Sequence, residues 1–282
     1  MFNYKKKYKL TKETMCIGDK VLYRIKALKD FGDVKKGQLG GFVDSEQNLS
    51  QFGDCWVYYG AKVFNIARVS SDAKIKDNSS VSGDATICGN VIITDHASIY
   101  GSAFIYGDAV VQNYARVCDK ASVGGYASIG DHSLVDKRAG IDGNTIIKGN
   151  AYISDNAHII GDSNISGTTY IGGNVVLEDI VIYENGKIEV YNDIYKSGTI
   201  DISIGEITFY KASNNDIRLV IYDQMNDISI GSFEKYIENK YRNDETNTKL
   251  STNERFYNAY MKLIELVKSI IILDKCEDVS NG

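Results

Sequence analysis

The chain has 282 residues, 43% hydrophobic and 24% charged, an ordinary soluble composition with room for one large domain or two to three small ones. A net charge of −5 and a pI near 5.3 leave no general basic surface for neutralising phosphates, so nucleic acid is not an expected partner. Lys5, Lys6, Lys7 and Lys9 precede no apolar run, and the most apolar stretch, 263–273, is broken by Glu265 and Lys268; neither a secretory signal nor a membrane span is expected, and the cytoplasm is the expected location.

Residues 1–50 read as an N-terminal β cap. Met15-Cys16-Ile17 and Val21-Leu22-Tyr23 flank Gly18-Asp19, a hairpin signal. Phe31, Gly32, Gly40, Gly41 and Phe42 lead into Gly53-Asp54-Cys55-Trp56, and the single tryptophan at that junction reads as a structural plug.

From Val57 a period of six takes over. Val63, Val69, Ile75, Val81, Ile87, Ile93 and each sixth residue to Ile171 are Val or Ile, and Leu177 follows. Two positions earlier stands a small residue, usually alanine, as at Ala61, Ala85 and Ala109; two or three positions later stand turn formers, as in Gly83-Asp84, Gly107-Asp108 and Asp155-Asn156. Six is three strand periods, so the same residue type always points inward. β-branched residues suit a sheet buried along its inner face, and Gly, Asn and Asp tolerate the positive φ of tight corners. Three hexads make an 18-residue triangular coil, and hexads 57–177 make about seven coils, roughly 34 Å at ~4.8 Å per coil.

The 18-residue step defines columns. Gly89, Gly107, Gly125, Gly143 and Gly161 read as a tight-turn ladder. An outward column reads Ile92, Val110, Ser128, Ile146, Asn164 and Ile182, assigned to the face of Ile87, Ile105, Ile141 and Ile159. Stacked outward aliphatics suggest a buried contact, and a copy of the same chain is the expected occupant, with Ile92, Val110, Ile146 and Ile182 as its interface. His96 and His132 share a corner column with Tyr114 between them, about 10 Å apart at two coil spacings, whereas His158 is an outward, solvated strand residue. Aromatics decorate the outside, Tyr100 and Phe104 on one face, Tyr152 and Tyr170 on another and Tyr106 on the third; Tyr100, Phe104, Tyr106 and the corner residue Tyr114 are the candidate lining of an intersubunit ligand cleft.

Regularity fades after Leu177. Tyr183-Glu184-Asn185-Gly186 reads as a turn, and alternation continues to about Ile204, placing the whole solenoid at 51–204. Residues 205–282 read as a small α+β module. Strands 207–210 and 217–222 form a hairpin about Ser213-Asn214-Asn215; Ser232 caps a helix reaching Tyr241; Ser251 and Glu254 make a capping box ahead of a helix whose apolar face is Phe256, Tyr260, Ile264, Val267 and Ile271. The module either caps the solenoid or carries a partner-binding surface. Five cysteines, with Cys88 and Cys118 on different faces and no CxxC spacing, read as reduced thiols.

The hexads 57–177 resemble the left-handed β-helix, hexapeptide-repeat superfamily. The leader Ala27-Leu28-Lys29-Asp30-Phe31-Gly32-Asp33-Val34, Gly40-Gly41-Phe42-Val43 and 49–57 resembles a narrower phage, prophage and bacterial group labelled as transferases without established chemistry. The resemblance implies a mainly β, left-handed parallel β-helix, three-fold self-association and, for a phage-borne chain, the host cytoplasm. Its best known members are acyltransferases with a catalytic histidine and often a loop breaking the repeat; here no loop interrupts 57–177. The spacing of His96 and His132 is similar to that of β-helical carbonic anhydrases, but the position of their third zinc ligand is Lys137, so no metal is expected. With no GxSxG, Walker loop or HExxH, the expected function is a non-catalytic oligomeric binding protein, acting on a host protein or sequestering a nucleotide-like ligand, without a cofactor. The alternatives are an acyltransferase using coenzyme A with His96 or His132 as base, and a structural assembly protein.

Overall fold

The computed structural model describes residues 5–201, 203–221, 227–242 and 250–271. It is a parallel β-solenoid with a β cap at its N-terminal end and an antiparallel sheet with two helices at the other. Each hexad contributes a rung of two or three residues, and rungs 18 residues apart pair in parallel. Three faces result. The first carries Val63, Val81, Ile99, Val117, Val135, Ile153, Ile171 and Ile188; the second runs from Val69 through Ile87, Ile105 and Ile141 to Leu177; the third runs from Val57 through Ile93, Val111 and Ile147 to Ile182. The third face has eight rungs.

The interior is as the period requires. Every β-branched residue of the inward column from Val57 to Ile171 is at most 1% exposed, and the alanines two positions earlier are sealed. Burying each Val or Ile contributes about 1.5–3 kcal/mol. Where alanine is replaced by a small hydroxyl residue, its proton goes back to a corner carbonyl: Thr145 Oγ1 donates to Asp142 O (2.7 Å) and Ser163 Oγ to Ile160 O (2.8 Å). Backbone N–H groups donate from one coil to the next, as Ile92 N to Ala109 O (3.0 Å) and Tyr106 N to Val123 O (2.9 Å).

The corners explain the Asp, Asn and Gly content. Asp77, Asp95, Asn113 and Asp131 all adopt positive φ at one corner. Their side chains also accept the N–H of the next coil: Asn113 N to Asp95 Oδ2 (2.9 Å), Asp131 N to Asn113 Oδ1 (3.1 Å), Gly149 N to Asp131 Oδ2 (2.9 Å). At the corner after the second face the expected glycine ladder is present. Gly125 has φ +61°, and a Cβ there would lie 2.7 Å from the backbone of Gly143.

The cap is the expected hairpin. β1 (Tyr8–Ile17) and β2 (Lys20–Ala27) join through Gly18-Asp19, and β3 (Leu39–Val43) pairs antiparallel to β2 and parallel to the rung Lys62–Val63, so the cap prolongs the first face. Trp56 is fully buried, edge-on to Phe31 (5.4 Å) and Tyr8 (6.1 Å), as a plug should be. Buried Lys7 ties the cap to the first coil, its ammonium donating to the carbonyls of Cys55 (2.9 Å) and Gly53 (3.0 Å).

The C-terminal module contains β4 (Ile194–Ser197), β5 (Ile207–Lys211), β6 (Ile217–Ile221) and β7 (Asp227–Ser229) in one antiparallel sheet, with α1 (Ile230–Tyr241) and α2 (Leu250–Ile270). Helix α1 is capped by Ser229, whose side chain accepts from Ser232 N, so Ser232 lies in the first turn rather than at the cap; Ile230 already belongs to the helix because its side chain enters the core. Helix α2 already begins at Leu250, which places Ser251 inside it; the Ser251 side chain, Tyr222 and Cys276 lie outside the described residues. Phe256, Tyr260, Ile264, Val267 and Ile271 do form the apolar face, packed against Phe209, Phe233 and Ile237.

This module closes the solenoid end. Tyr210 and Val220 join the solenoid core, Tyr210 donates to Glu184 O (3.1 Å), and Ser213 N donates to Asn185 O (2.7 Å). Covering the ends is what a solenoid requires; at the N-terminal end the cap does so by extending the first face, whose edge becomes β1. Gly125→Ala should therefore destabilise the protein by about 1–3 kcal/mol, from a Cβ in the left-handed region and against the next coil; a lower urea midpoint by circular dichroism checks it, and an unchanged midpoint contradicts the ladder.

Candidate functional surfaces

The outside of the solenoid offers four places where side chains converge. The first is the corner leading from the third face to the first. His96 and Tyr114 stack at 5.0 Å with 3° between their planes, and Tyr114 and His132 stack at 5.0 Å with 7°. The expected column is thus a continuous ring ladder, with Tyr114 occupying the space between the two histidines.

The second lies on the second face and its following corner. Phe104 stacks on Tyr106 at 4.9 Å, and the Tyr106 ring lies over Gly124, where a Cβ would stand 2.1 Å from it. Its hydroxyl donates to Asp142 Oδ2 (2.6 Å), which, with burial, pushes the phenol up to about 12. Farther along the same face His158 is exposed and rests on Gly140, with a Cβ at Gly140 only 2.6 Å from Nδ1.

The four proposed cleft residues therefore do not form one site within the chain. Phe104 and Tyr106 are together, Tyr114 is on another corner between the histidines, and Tyr100 stands on the third corner, after the first face.

That third corner holds a polar network that residue spacing alone does not bring together. The column Tyr100, Cys118, Asp136, Ser154 follows the inward residues of the first face. The Cys118 thiol beside Tyr100, together with burial, pushes the phenol up to about 12; burial likewise pushes the Cys118 thiol up. Ser154 Oγ donates to Asp136 Oδ1 (2.6 Å) and Tyr152 to Asp136 Oδ2 (2.9 Å). One residue on, Lys137 has φ 52°, a costly conformation for a long side chain, and its ammonium is 2.6 Å from Asp155. Asp155 also accepts from Gly173 N (3.0 Å) and Tyr170 (3.2 Å). The Lys137 hydrogen bond and then the Gly173 N–H hold the Asp155 carboxyl down at about 2. The signal was available in the 18-residue spacing, but it needs the corner column read together with the outward tyrosines of the same face.

Chemically this network is a set of satisfied donors and acceptors. Ser154 and Tyr152 share one carboxylate, and none of the three histidines belongs to the cluster. Cys118 Sγ and the carboxylates of Asp119 and Asp136 come within 4.8 Å of one another, the ligand types a divalent ion of zinc character accepts, although the thiol would first have to lose its proton.

The fourth place is the outward side of the third face. The column Ile92, Val110, Ser128, Ile146, Asn164 pairs rung by rung. It belongs to the face of Ile93 and Ile147, not to that of Ile87 and Ile105 as expected, because residues immediately before an inward residue share its strand. Ile182 is not part of it. The step to the last rung is one residue shorter, so Asn164 pairs with Val181, while Ile182 pairs with Ile165 and is fully buried. Ile146 is 40% exposed, and Ile92 and Val110 are half-buried.

Comparison with known protein families gave no match, and comparison with characterised proteins gave none either. The Asp155 geometry yields a pH test. A carboxyl held at about 2 against an ordinary value of 3.8 stabilises the fold above pH ~4, and that contribution disappears as pH falls toward 2. Asp155→Asn should make the acid limb of the stability profile shallower between about pH 4 and pH 2; identical wild-type and variant slopes in acid unfolding would count against the ion pair.

Proposed function

We propose that this chain is a non-catalytic binding protein whose solenoid associates side by side with copies of itself through the third face. The observation that carries this is the outward column Ile92, Val110, Ser128, Ile146 and Asn164, which holds no charged residue over five consecutive rungs. Lys74 stands one rung before Ile92, so the strip starts beyond it. The other faces are less aliphatic: over the matching rungs the first presents Ser98, Arg116, Leu134, Tyr152 and Tyr170 and the second Thr86, Phe104, Ser122, Gly140 and His158 at equivalent outward positions. An uncharged aliphatic strip on one side of a rigid prism suits a buried contact. A parallel copy supplies the same strip with the same rung spacing, and the resemblance to hexapeptide solenoids points to three copies.

The chemistry outside that strip supports binding rather than turnover. A general base must reach the proton it abstracts. His96 and His132 are engaged ring to ring with Tyr114, and His158 lies on Gly140 away from the Cys118 and Ser154 hydroxyl and thiol groups. The unbroken hexads supply no inserted loop to wall off a reaction site. The hydrogen-bonded corner of Asp136, Tyr152 and Ser154, and the Phe104–Tyr106 stack, are suited to holding a polar or planar ligand against a rigid surface.

Ile92→Glu combined with Ile146→Glu should dissociate the assembly, weakening it by about 100-fold or more, since two unpaired carboxylates would be buried per contact. Multi-angle light scattering reads the outcome. A double variant with the mass of the wild-type assembly and an unchanged circular dichroism spectrum sinks the proposed interface.

A further inference from the structure

The charge of this chain is divided unevenly. The first 36 residues hold eleven lysines and arginines against four acidic residues, leaving 21 against 33 for the remainder. The acidic protein thus carries a basic cap. Part of that charge is used internally: Lys7 is buried on carbonyls, and Lys6, Lys20 and Lys35 face Glu46, Asp44 and Asp30.

Six lysines of this segment have no such use, and three of them, Lys9, Lys12 and Lys26, lie together. Among the described residues no carboxylate pairs with Lys9, Lys12 or Lys26. Lys9 and Lys26 are direct cross-strand partners on β1 and β2, and Lys26 in turn faces Leu39 on β3. Like charges placed directly opposite on an antiparallel pair are destabilising, so this arrangement costs stability unless an anion lies between them. The three lysines line one shallow trough with Leu10, Thr11 and Leu39. Glu13, also in the trough, is held by the Arg24 guanidinium at 2.7 Å, and Arg24 is itself sandwiched between Phe42 and Tyr59. Leu39 is 43% exposed, which gives the trough an aliphatic floor beside its cations.

The same strand is a sheet edge. β1 is the terminal strand of the 11-stranded sheet, so among the described residues one of its sides carries no ladder. At its start Lys7 N and Tyr8 N are taken by Gln51 Oε1 (2.7 and 3.4 Å), so the open edge begins beyond Tyr8, where the lysine row begins. A bulge between Leu10 and Thr14 interrupts the register with β2 and brings Thr11, Lys12 and Glu13 into the trough.

We propose that the free edge of β1, with Lys9, Lys12 and Lys26, binds an extended acidic polypeptide segment as an added strand. The edge supplies main-chain donors and acceptors to an amide backbone, and the lysine row selects acidic side chains on one side of that strand. Leu10 and Leu39 accept aliphatic side chains of the same segment. A nucleic acid strand fits less well, because it has no amide backbone to continue the ladder and finds no aromatic platform among these lysines. The inference rests on the reading of the chain as a binding protein and assigns that protein a partner chemistry.

The test uses the full chain and a fluorescein-labelled peptide of alternating glutamate and valine, followed by fluorescence anisotropy at low ionic strength. Saturable binding is expected, weakened about tenfold or more by Lys9→Ser, Lys12→Ser and Lys26→Ser together, retained by the three Lys→Arg changes, and lost when alternate peptide amides are N-methylated. Absence of saturable binding, or equal binding by the serine variant, would mean that the lysines only guard the edge against self-pairing and would overturn the proposal. Equal binding of the N-methylated peptide, or of an oligothymidylate of matching charge, would overturn strand addition in favour of a plain anion site. Light scattering on the same samples separates the two readings: the serine variant should keep the wild-type mass, so that a failure here leaves the third-face association standing, and a loss of mass would indict the cap itself.

Discussion

A chain that turns a corner every six residues must place the same kind of side chain inside at every step and the same kind of backbone at every corner. That constraint governs this molecule. The inner positions accept only a β-branched residue and a small one, because the triangular interior leaves room for little else, and nearly all are sealed from solvent. The corners need positive φ, supplied by glycine, asparagine and aspartate. Aspartate and asparagine do a second job that glycine cannot, accepting the N–H of the following coil through the side chain.

What remains free under this constraint is the set of outward and corner side chains, and they repeat in register. Residues 18 apart in sequence become neighbours one coil apart, so a tyrosine between two histidines becomes a ring stack, and a serine above an aspartate becomes a hydrogen bond. Lys137 shows the constraint at its most demanding. The register forces a lysine into the left-handed region, and its ion pair with Asp155 in the next coil secures it there.

The fold was legible because its signal is redundant over twenty hexads, and any single irregular residue is outvoted. The hairpin at Gly18-Asp19, the tryptophan plug, the glycine ladder and the apolar face of α2 were legible for the same reason: each depends on local chemistry or a fixed spacing. The errors came where one residue changes the count. The outward column was given to the wrong face by a shift of one strand, and Ile182 was misplaced because the last coil is a residue short. Either Ser229 or Ser232 suits a helix start by sequence, and only the burial of Ile230 decides for Ser229. The cluster around Asp136 is not legible in the sequence because its members come from a corner column and an outward column that are adjacent only once the coil is closed.

A prism covered at both ends, with an aliphatic strip on its third face, a basic cap and, among the described residues, no histidine set against a nucleophile, is suited to holding things in place. Native mass spectrometry of the purified protein tests that account most directly. The account predicts an assembly of copies, three by resemblance, that carries no coenzyme A and takes up none when it is added. A monomer, or an assembly that retains coenzyme A and releases it on His96→Ala or His132→Ala, would contradict it and return the chain to acyl transfer.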